Sequence, residues 1–397
     1  MHERNCSIAK CTQFSKPSIG SQGFVRGRRG IDFARPYRMM IELALALCVQ
    51  IDQAAVDRAI ENGGKYLIRR LKAGTINPAP RKDAPPGGPG DEDLQKDEIV
   101  LYTLVYAGVD ESEPEFAKLL KTVLESKIES VYRASLQAMA LEAIDPWKYQ
   151  GRIAQCGQFL IDNQCENGQW SYGKEVPLDA WTAAEPVTGT KQRPHVVLKK
   201  RRSGPATGDN SNAQYALLGL RACMNAGVIV PAEAFAKAEK WWATTQNKDG
   251  GWDYRMGRTR TEHSYGAMTA GGAMALAICR FYLKKAVKGD PAVERGLAWL
   301  ASNFSVTKHP KFDWKIPAHG WVHYWLYALE RAAMLCEREK LGTHDWYAKG
   351  AQKLLDAQGS DGAWDGDRDK VTNTCFAILF LRRATKPLKP VPTVDDK

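Results

Sequence analysis

Two kinds of apolar pattern alternate along the chain from about residue 54 onward. In the first kind, apolar residues recur every three to four positions and form one stripe on an otherwise charged segment, as in residues 56–71. In the second kind, as in residues 97–107, the segment is apolar on nearly every side. The stripe is typical of a helix that buries one face, whereas the second pattern is typical of a helix buried on two sides.

The alternation continues through six pairs of segments. The striped segments are residues 56–71, 115–129, 149–163, 232–245, 292–304 and 347–357. The broadly apolar segments are residues 97–107, 131–144, 212–226, 264–283, 321–336 and 374–384. Two concentric rings satisfy both patterns, with striped helices outside and apolar helices inside. The sequence therefore predicts one all-α domain over residues 51–385, an (α/α)6 barrel (α-α toroid) of about twelve helices in two concentric rings.

A short motif, Gln-x3-Gly-x-Trp, occurs three times, and each copy follows a striped segment. Its Gln and Trp residues are Gln164 and Trp170, Gln246 and Trp252, and Gln358 and Trp364. Chance would place roughly 0.04 such matches beside the 12 Trp residues of this composition, so the copies mark an internal repeat. Glycine can end a helix in the left-handed conformation, glutamine can bond helix-end backbone groups, and the indole can pack over the turn. We therefore predict a structural role for the motif rather than ligand binding.

A striped helix followed by this motif resembles the QW repeats of squalene–hopene and oxidosqualene cyclases. The pattern is shared more loosely by the β-subunits of protein prenyltransferases and by complement-type thioester domains. The resemblance covers most of residues 54–385, and residues 209–220 and 325–331 are similar to bacterial proteins with prenyltransferase/squalene-oxidase repeats. It implies the α-toroid fold, in agreement with the helix pattern.

The catalytic motifs of these relatives are missing from the chain. Squalene–hopene cyclases protonate an alkene with Asp-x-Asp-Asp, whereas the carboxylates within residues 365–369 are spaced differently. The Asp-x-Cys zinc pair of the prenyltransferases and the thioester Cys-Gly-Glu-Gln are absent. His319 and His323 stand four residues apart, but no third ligand accompanies them. We therefore expect neither a metal ion nor another cofactor, and cyclase chemistry is unsupported.

Candidate site residues lie near the starts of the inner helices, because the central cavity of such a barrel opens there. The catalytic candidates are His263, His323, Tyr265 and Asp209, and the ligand-binding candidates are Asn212, Trp321, Tyr324 and Asn373. This mixture of side chains suits general acid–base chemistry. Each has a structural alternative. Asp209 and Asn212 are good helix N-caps, His263 can be a hydrogen-bonded structural histidine, and the aromatic residues can pack between the rings.

The net charge of +11 is concentrated outside the predicted helices. Much of it lies in the first 38 residues and in the basic run 199–202. No aromatic residues interleave with that run, and such runs are usually solvated, so a nucleic-acid partner is not predicted. Long loops are expected at residues 73–93 and 171–208, and a disordered tail is expected at residues 386–397.

Residues 1–50 are predicted to form a flexible, basic N-terminus. If translation starts near Met39, the apolar stretch that follows resembles a secretory signal, and the protein is exported to the periplasm. Otherwise it is cytoplasmic. Nothing else approaches the roughly 20 consecutive apolar residues that span a bilayer, so stable membrane insertion is not expected.

Three classes of function fit these observations. The first is a terpenoid-cyclase-like α-toroid that binds a hydrophobic or isoprenoid small molecule in its central cavity. The alternatives are an (α/α)-barrel lyase or hydrolase acting on carbohydrate and a non-catalytic binding scaffold. Aromatic and aliphatic cavity walls favour the isoprenoid, paired carboxylates and stacked Trp favour a sugar, and a cavity filled by its own side chains favours a scaffold. Whether the protein is an enzyme, and its oligomeric state, remain open at this level.

Overall fold

A computed structural model describes residues 51–77, 96–174, 195–254, 263–312, 320–366 and 368–388. Some predictions lie outside these ranges: those for residues 1–50, for most of the loop at 73–93, for residues 175–194 of the loop at 171–208 and for the tail from residue 389. Within them the chain forms twelve α-helices and two strands of two residues each. No helix in the described part of the chain is long and apolar enough to cross a membrane.

The helices alternate between two rings, as the apolar pattern predicts. The outer helices are α1 (Gln53–Lys72), α3 (Pro114–Glu125), α5 (Gln150–Asp162), α7 (Ala232–Thr244), α9 (Pro291–Ser302) and α11 (Trp346–Ala357). The inner helices are α2 (Asp97–Ala107), α4 (Val131–Ile144), α6 (Asn210–Asn225), α8 (Gly266–Tyr282), α10 (Val322–Leu335) and α12 (Lys370–Leu381). Outer helix α1 buries one face that includes Val56, Ile60 and Leu67. Inner helix α8 buries every residue from Gly266 to Cys279.

The inner ring is closed. Each inner helix packs against the next one along the chain, and α12 packs against α2. The outer helices cover the seams between inner helices, so that α5 contacts α4 and α6, and α1 contacts α12 and α2. Outer helices α11 and α1, the last and the first, also contact each other. The prediction of an all-α, two-ring (α/α)6 barrel is confirmed.

The Trp of each motif copy packs between the two rings. Trp170, Trp252 and Trp364 are fully buried. Each indole Nε1 donates a hydrogen bond to the backbone oxygen ten residues earlier, in the preceding outer helix, at 2.7, 2.9 and 2.7 Å. Glycine makes room for the ring, since a Cβ at Gly272 of α8 would lie 2.4 Å from Trp252. The indole therefore ties the end of one outer helix to the neighbouring inner helix.

The Gln of each motif copy binds the next outer helix around the ring. The Nε2 atoms of Gln164, Gln246 and Gln358 donate to the backbone oxygens of Ala234 in α7, Ala292 in α9 and Ala59 in α1, each at 2.8 Å. Each Nε2 also donates to the carbonyl of its own motif glycine. The sequence pattern suggested the end of a helix as the partner, but the partner is the following outer helix. In the third copy the bond joins residues 358 and 59 and so closes the outer ring.

The motif glycine permits this close approach. Gly362 has a φ of +83°, and a Cβ built on it would lie 2.5 Å from the backbone oxygen of Asn62 in α1. Gly168 and Gly250 share the positive φ and approach the next outer helix in the same way. Glycine adopts this conformation without steric cost, and any side chain would push the adjacent helix away.

Part of the long loop before α6 packs against the barrel. Strand β1 (Val196–Val197) pairs in parallel with β2 (Val228–Ile229), which follows α6. Lys200 Nζ donates to the backbone oxygens of Ile161 and Gln164, at the C-terminal end of α5, at 2.8 and 3.1 Å. A cation there satisfies carbonyls that lack helical partners and complements the helix dipole. The basic run is therefore partly structural, a role that its charge alone does not reveal.

We predict that Gly362→Ala lowers the free energy of unfolding by about 2–4 kcal/mol, because strain at positive φ adds to a clash with α1. Gly289→Ala is the matched control, since Gly289 has a φ of +80° but open space around its Cβ position. Gly289→Ala should lower the free energy of unfolding by about 1 kcal/mol, which is the cost of the backbone strain alone. Chemical denaturation measures both losses. Equal losses would show that the contact between the third motif copy and α1 adds no stability.

Candidate functional site

All inner helices begin at one end of the barrel, because an outer helix carries the chain back before each inner helix starts. We call this end the mouth. It consists of the first turns of α2, α4, α6, α8, α10 and α12 and the residues directly before them. The eight predicted site residues lie at four of these starts, those of α6, α8, α10 and α12.

Asp209 and Asn212 form the N-terminal cap of α6. Asp209 Oδ1 accepts a hydrogen bond from the Asn212 backbone N, and Oδ2 accepts one from Asn212 Nδ2, both at 2.9 Å. Ser211 Oγ donates a further bond to Oδ1. Both Asp209 and Asn212 are buried. Capping accounts for the Asp209 carboxylate, and its role in catalysis stays a prediction.

Aromatic side chains surround the mouth. We call them the aromatic wall: Tyr132, Tyr215, Tyr265, Trp321, Tyr324 and Phe376. Tyr132, Tyr265, Trp321 and Tyr324 are half-buried. The ring centroids of Trp321 and Tyr324 lie 6.0 Å apart, and those of Tyr324 and Phe376 lie 5.6 Å apart. Tyr132 and Tyr215 approach to 4.7 Å. The predicted ligand-binding residues Trp321 and Tyr324 therefore pack against each other, and Tyr324 also packs against Phe376 of α12.

Below this wall the barrel is filled by its own side chains, around the fully buried Arg331 of α10. Its guanidinium lies 4.2 Å from the ring centroid of Tyr327 and 5.0 Å from that of Tyr215. It donates to Gln214 Oε1 at 3.1 Å, and Gln214 Nε2 donates to Tyr324 Oη at 2.9 Å. Since α8 separates α6 from α10 in the ring, these bonds cross the interior. They form a floor beneath the mouth, which the sequence pattern did not reveal.

Asp253 is a buried carboxyl without a hydrogen-bond partner among the described residues. It follows the second motif Trp, is 6% exposed, and has both Oδ atoms unpaired. Its backbone is held by Asn210 Nδ2, which donates to the Asp253 oxygen at 2.8 Å. Burial raises the pKa of the Asp253 carboxyl to about 6. The Asp253 charge also contributes to the raised pKa of Tyr265, after burial of that phenol and other neighbouring charges. Sequence reasoning missed Asp253, because one Asp after a motif Trp carries no signal of burial.

The two histidine candidates contact different turns. His263 is exposed, and its Nε2 lies 2.7 Å from the Lys311 backbone oxygen. It lines a surface groove of about 570 Å³ together with Asp249 and Trp299. His323 is buried and faces Gly366, where an added Cβ would lie 3.1 Å from His323 Cε1. The structure does not bring the two rings together, and catalysis by either histidine stays a prediction.

A stacked pair of side chains lies at the starts of α10 and α12. The guanidinium carbon of Arg368 lies 4.2 Å from the Trp321 ring centroid. Trp321 is the N-cap of α10 and has a φ of +63°, in the left-handed region that is unfavourable for a bulky residue. Asn373 Nδ2 donates to the Arg368 backbone oxygen at 2.8 Å. Helix α12 starts at Lys370, earlier than predicted, because the Asp369 side chain caps it through the Thr372 backbone N.

His309, which the sequence did not single out, joins two inner helices at the mouth. Its Nε2 accepts a hydrogen bond from the Ala267 backbone N in α8, and its Nδ1 lies 2.8 Å from the Gly320 oxygen before α10. The ring stacks on Trp325 at a centroid distance of 5.7 Å. Burial lowers the pKa of His309 to about 4. The geometry requires the neutral tautomer with the proton on Nδ1.

Metal binding has no support in the described part of the chain, where no three His, Cys, Asp or Glu side chains lie close enough together to hold an ion.

Two solved structures are similar to this chain. The type II terpene cyclase MstE from Scytonema, without ligand, is 12% identical, with a TM-score of 0.49 over 83% of this chain and 99% of that one. A variant of MstE from Scytonema in complex with its substrate geranylgeranyl dihydroxybenzoate is 11% identical. Its TM-score is 0.51 over 84% of this chain and 98% of that one. No protein-family model and no curated protein sequence matches the chain. The chain has a terpenoid cyclase-like α-toroid fold.

We predict that Asp253→Asn raises the free energy of unfolding by about 1 kcal/mol at pH 8, because a buried carboxylate without partners is removed. The raised pKa means that the folded protein binds this proton more tightly than the unfolded chain. The wild type therefore regains stability as the pH falls from about 6 toward 4, and the advantage of the variant should shrink there. Denaturation at pH 8 and pH 5 tests this, with the exposed Asp356→Asn as control for the lost charge. An advantage that does not depend on pH would contradict the assignment.

We predict that His309→Gln destabilises the protein at pH 7.5 and that this difference decreases in acid. The pKa of His309 is lowered in the folded state, so the unfolded chain takes up the proton first as the pH falls below about 6.5. The wild type then loses the contribution of His309, about 3 kcal/mol in total, between pH 6.5 and pH 4. The glutamine side chain does not take up a proton in this pH range, so the variant does not lose stability in this way. Denaturation curves across this range measure the difference, and a constant difference would refute the neutral histidine.

Proposed function

We propose that the protein binds an isoprenoid ligand at the mouth, as a terpenoid-cyclase-like α-toroid. The observation that carries this proposal is the aromatic wall, in which four of the six aromatic residues are half-buried, above the fully buried Arg331. Small-molecule sites are mostly apolar and aromatic, with a few polar groups that set orientation. An extended hydrocarbon chain gains free energy by burying its surface against such rings.

The comparison with MstE supports the class of ligand. The MstE variant that shares this fold is in complex with geranylgeranyl dihydroxybenzoate, whose geranylgeranyl group is an isoprenoid. The aromatic wall described here suits a chain of that kind.

The mouth offers little to a carbohydrate-cleaving enzyme. Glycoside hydrolysis typically uses two carboxyl groups. Among the described residues at the mouth, Asp209 is a helix cap, and Glu98 is paired with Arg133 at 2.9 Å. Asp369 caps α12 and lies 3.2 Å from Lys96. Of these carboxyl groups and Asp253, only Asp253 has both oxygens without a hydrogen-bond partner among the described residues. The set therefore lacks the pair of carboxyl groups that glycoside hydrolysis typically uses, and the isoprenoid is the better supported ligand.

Any proton transfer at the mouth is assigned to Asp253 rather than to His263 or His323. A carboxyl with a pKa near 6 is present in both protonation states close to neutral pH, as a general acid or base must be. Its buried oxygens have no hydrogen-bond partner among the described residues, whereas His263 is exposed at a surface groove and its Nε2 lies 2.7 Å from the Lys311 oxygen. A purely structural scaffold would have no use for such a group, because burying it lowers stability.

The test is the binding of geranylgeraniol, measured by calorimetry or native mass spectrometry. Wild-type protein should bind it, and Tyr265→Ala should weaken binding about tenfold or more, because roughly 60 Å² of aromatic contact is lost. Tyr347→Ala, which removes a half-buried tyrosine from outer helix α11, is the control and should have no effect. Equal affinity of both variants would place the ligand elsewhere, and failure of the wild type to bind would remove the isoprenoid proposal.

A further inference from the structure

Arg368 at the mouth is a cation without an anionic partner among the described residues. Its Nε is shielded from solvent and has no hydrogen-bond partner. Asp367, directly before Arg368, lies outside the described residues. The described carboxylates on either side have other partners: Asp365 lies 3.8 Å from Lys370 Nζ, and Asp369 lies 3.2 Å from Lys96 Nζ. No carboxylate in the described part of the chain therefore pairs with Arg368, which lies next to the aromatic wall.

The platform beneath Arg368 is held at an energetic cost. A φ of +63° in a residue as bulky as Trp321 is strained, and glycine or asparagine would adopt it more easily. The neighbouring turn is held in place by His309 Nδ1, 2.8 Å from the Gly320 oxygen. Strain that persists because the surroundings enforce it is a feature of binding sites. The structure thus fixes the indole face on which the guanidinium lies.

Trp321 also connects this cation to the apolar surface. It contacts the Arg368 guanidinium at 4.2 Å, and its ring centroid lies 6.0 Å from that of Tyr324. A planar guanidinium on an aromatic face keeps its N–H edge free for two parallel hydrogen bonds to a carboxylate or a phosphate. An anion bound there would lie beside the aromatic wall.

We propose that Arg368, stacked on Trp321, binds an anionic head group, a carboxylate or a phosphate, on the isoprenoid ligand of the mouth. The ligand is then an amphiphile, with its chain on the aromatic wall and its charge at the edge formed by α10 and α12. This inference rests on the proposed function, since it assigns the head group of the same ligand. Asp253, at the starts of α6 and α8, is not part of this head-group site.

The experiment compares one chain length with three head groups: geranylgeraniol, geranylgeranoic acid and geranylgeranyl phosphate. Dissociation constants are measured by calorimetry at fixed ionic strength. Wild-type protein should bind both anions about tenfold or more tightly than the alcohol, as expected for charge-assisted hydrogen bonds. Arg368→Gln should abolish this preference, so that its affinities for the two anions fall to that for the alcohol. Arg368→Lys, which keeps the charge but not the fork of donors, should retain part of it.

Arg383→Gln is the matched control. Arg383 also stacks on an aromatic ring, 4.3 Å from the centroid of Tyr347, but it follows α12 at the end of the barrel opposite the mouth. Its loss removes the same charge and should leave the preference for anions intact. Melting temperatures of all variants are compared first, and Arg368→Lys carries the test if Arg368→Gln is unfolded.

The outcomes separate the two proposals. If the wild type binds the alcohol and the anions equally, or if Arg368→Gln retains the preference, the head-group inference is wrong while isoprenoid binding stands. If none of the three compounds binds, the proposed function itself fails. Inorganic phosphate should bind at least a hundredfold more weakly than geranylgeranyl phosphate, because it lacks the chain. Comparable binding of free phosphate would show a simple anion site and overturn the inference.

Discussion

The outer ring depends on the contact that joins its two ends. Gln358 donates to the Ala59 oxygen, Gly362 lies against Asn62, and Arg69 Nη2 donates to the Asp361 oxygen at 2.6 Å. An open row of helical hairpins would leave the apolar faces of its first and last members in water, whereas closure buries both. The other two copies of the Gln-x3-Gly-x-Trp motif make the equivalent contact between successive outer helices. The same short motif therefore joins neighbouring outer helices and also joins the last one to the first.

Closure leaves an interior that side chains fill, and a buried cation occupies much of it. Burying a charge without an ion pair is costly unless other groups replace its hydration. Arg331 is stabilised by the faces of Tyr215 and Tyr327 and by Gln214. The result is a shallow, aromatic mouth above a solid floor. A filled interior favoured a scaffold when only the sequence was considered, and the isoprenoid proposal therefore depends on the aromatic residues at the mouth and not on a deep cavity.

The fold satisfies some of its buried polar groups and leaves others without partners in the described part of the chain. At the end opposite the mouth, Glu330 accepts hydrogen bonds from the backbone N and the hydroxyl of Thr385. At the mouth, Asp253 and Arg368 keep unpaired atoms, and Trp321 has a strained backbone. Buried polar atoms without hydrogen-bond partners and strained backbone tend to occur at functional sites, where a bound ligand supplies the missing contacts.

The sequence by itself determined the twelve helices, their assignment to two rings and the places where the repeated turns occur. These follow from the apolar period and from Gly and Trp at fixed spacing, which act over a few residues. It also placed Trp321 and Tyr324 at the start of an inner helix, and their role in binding a ligand stays a prediction. Only the tertiary structure decided that His309 joins two inner helices as a neutral imidazole and that Asp253 is buried. It also decided that the guanidinium groups of Arg331 and Arg368 stack on aromatic rings. Those properties arise between helices distant in sequence, and no local pattern records which side chains closure of the ring will bring together.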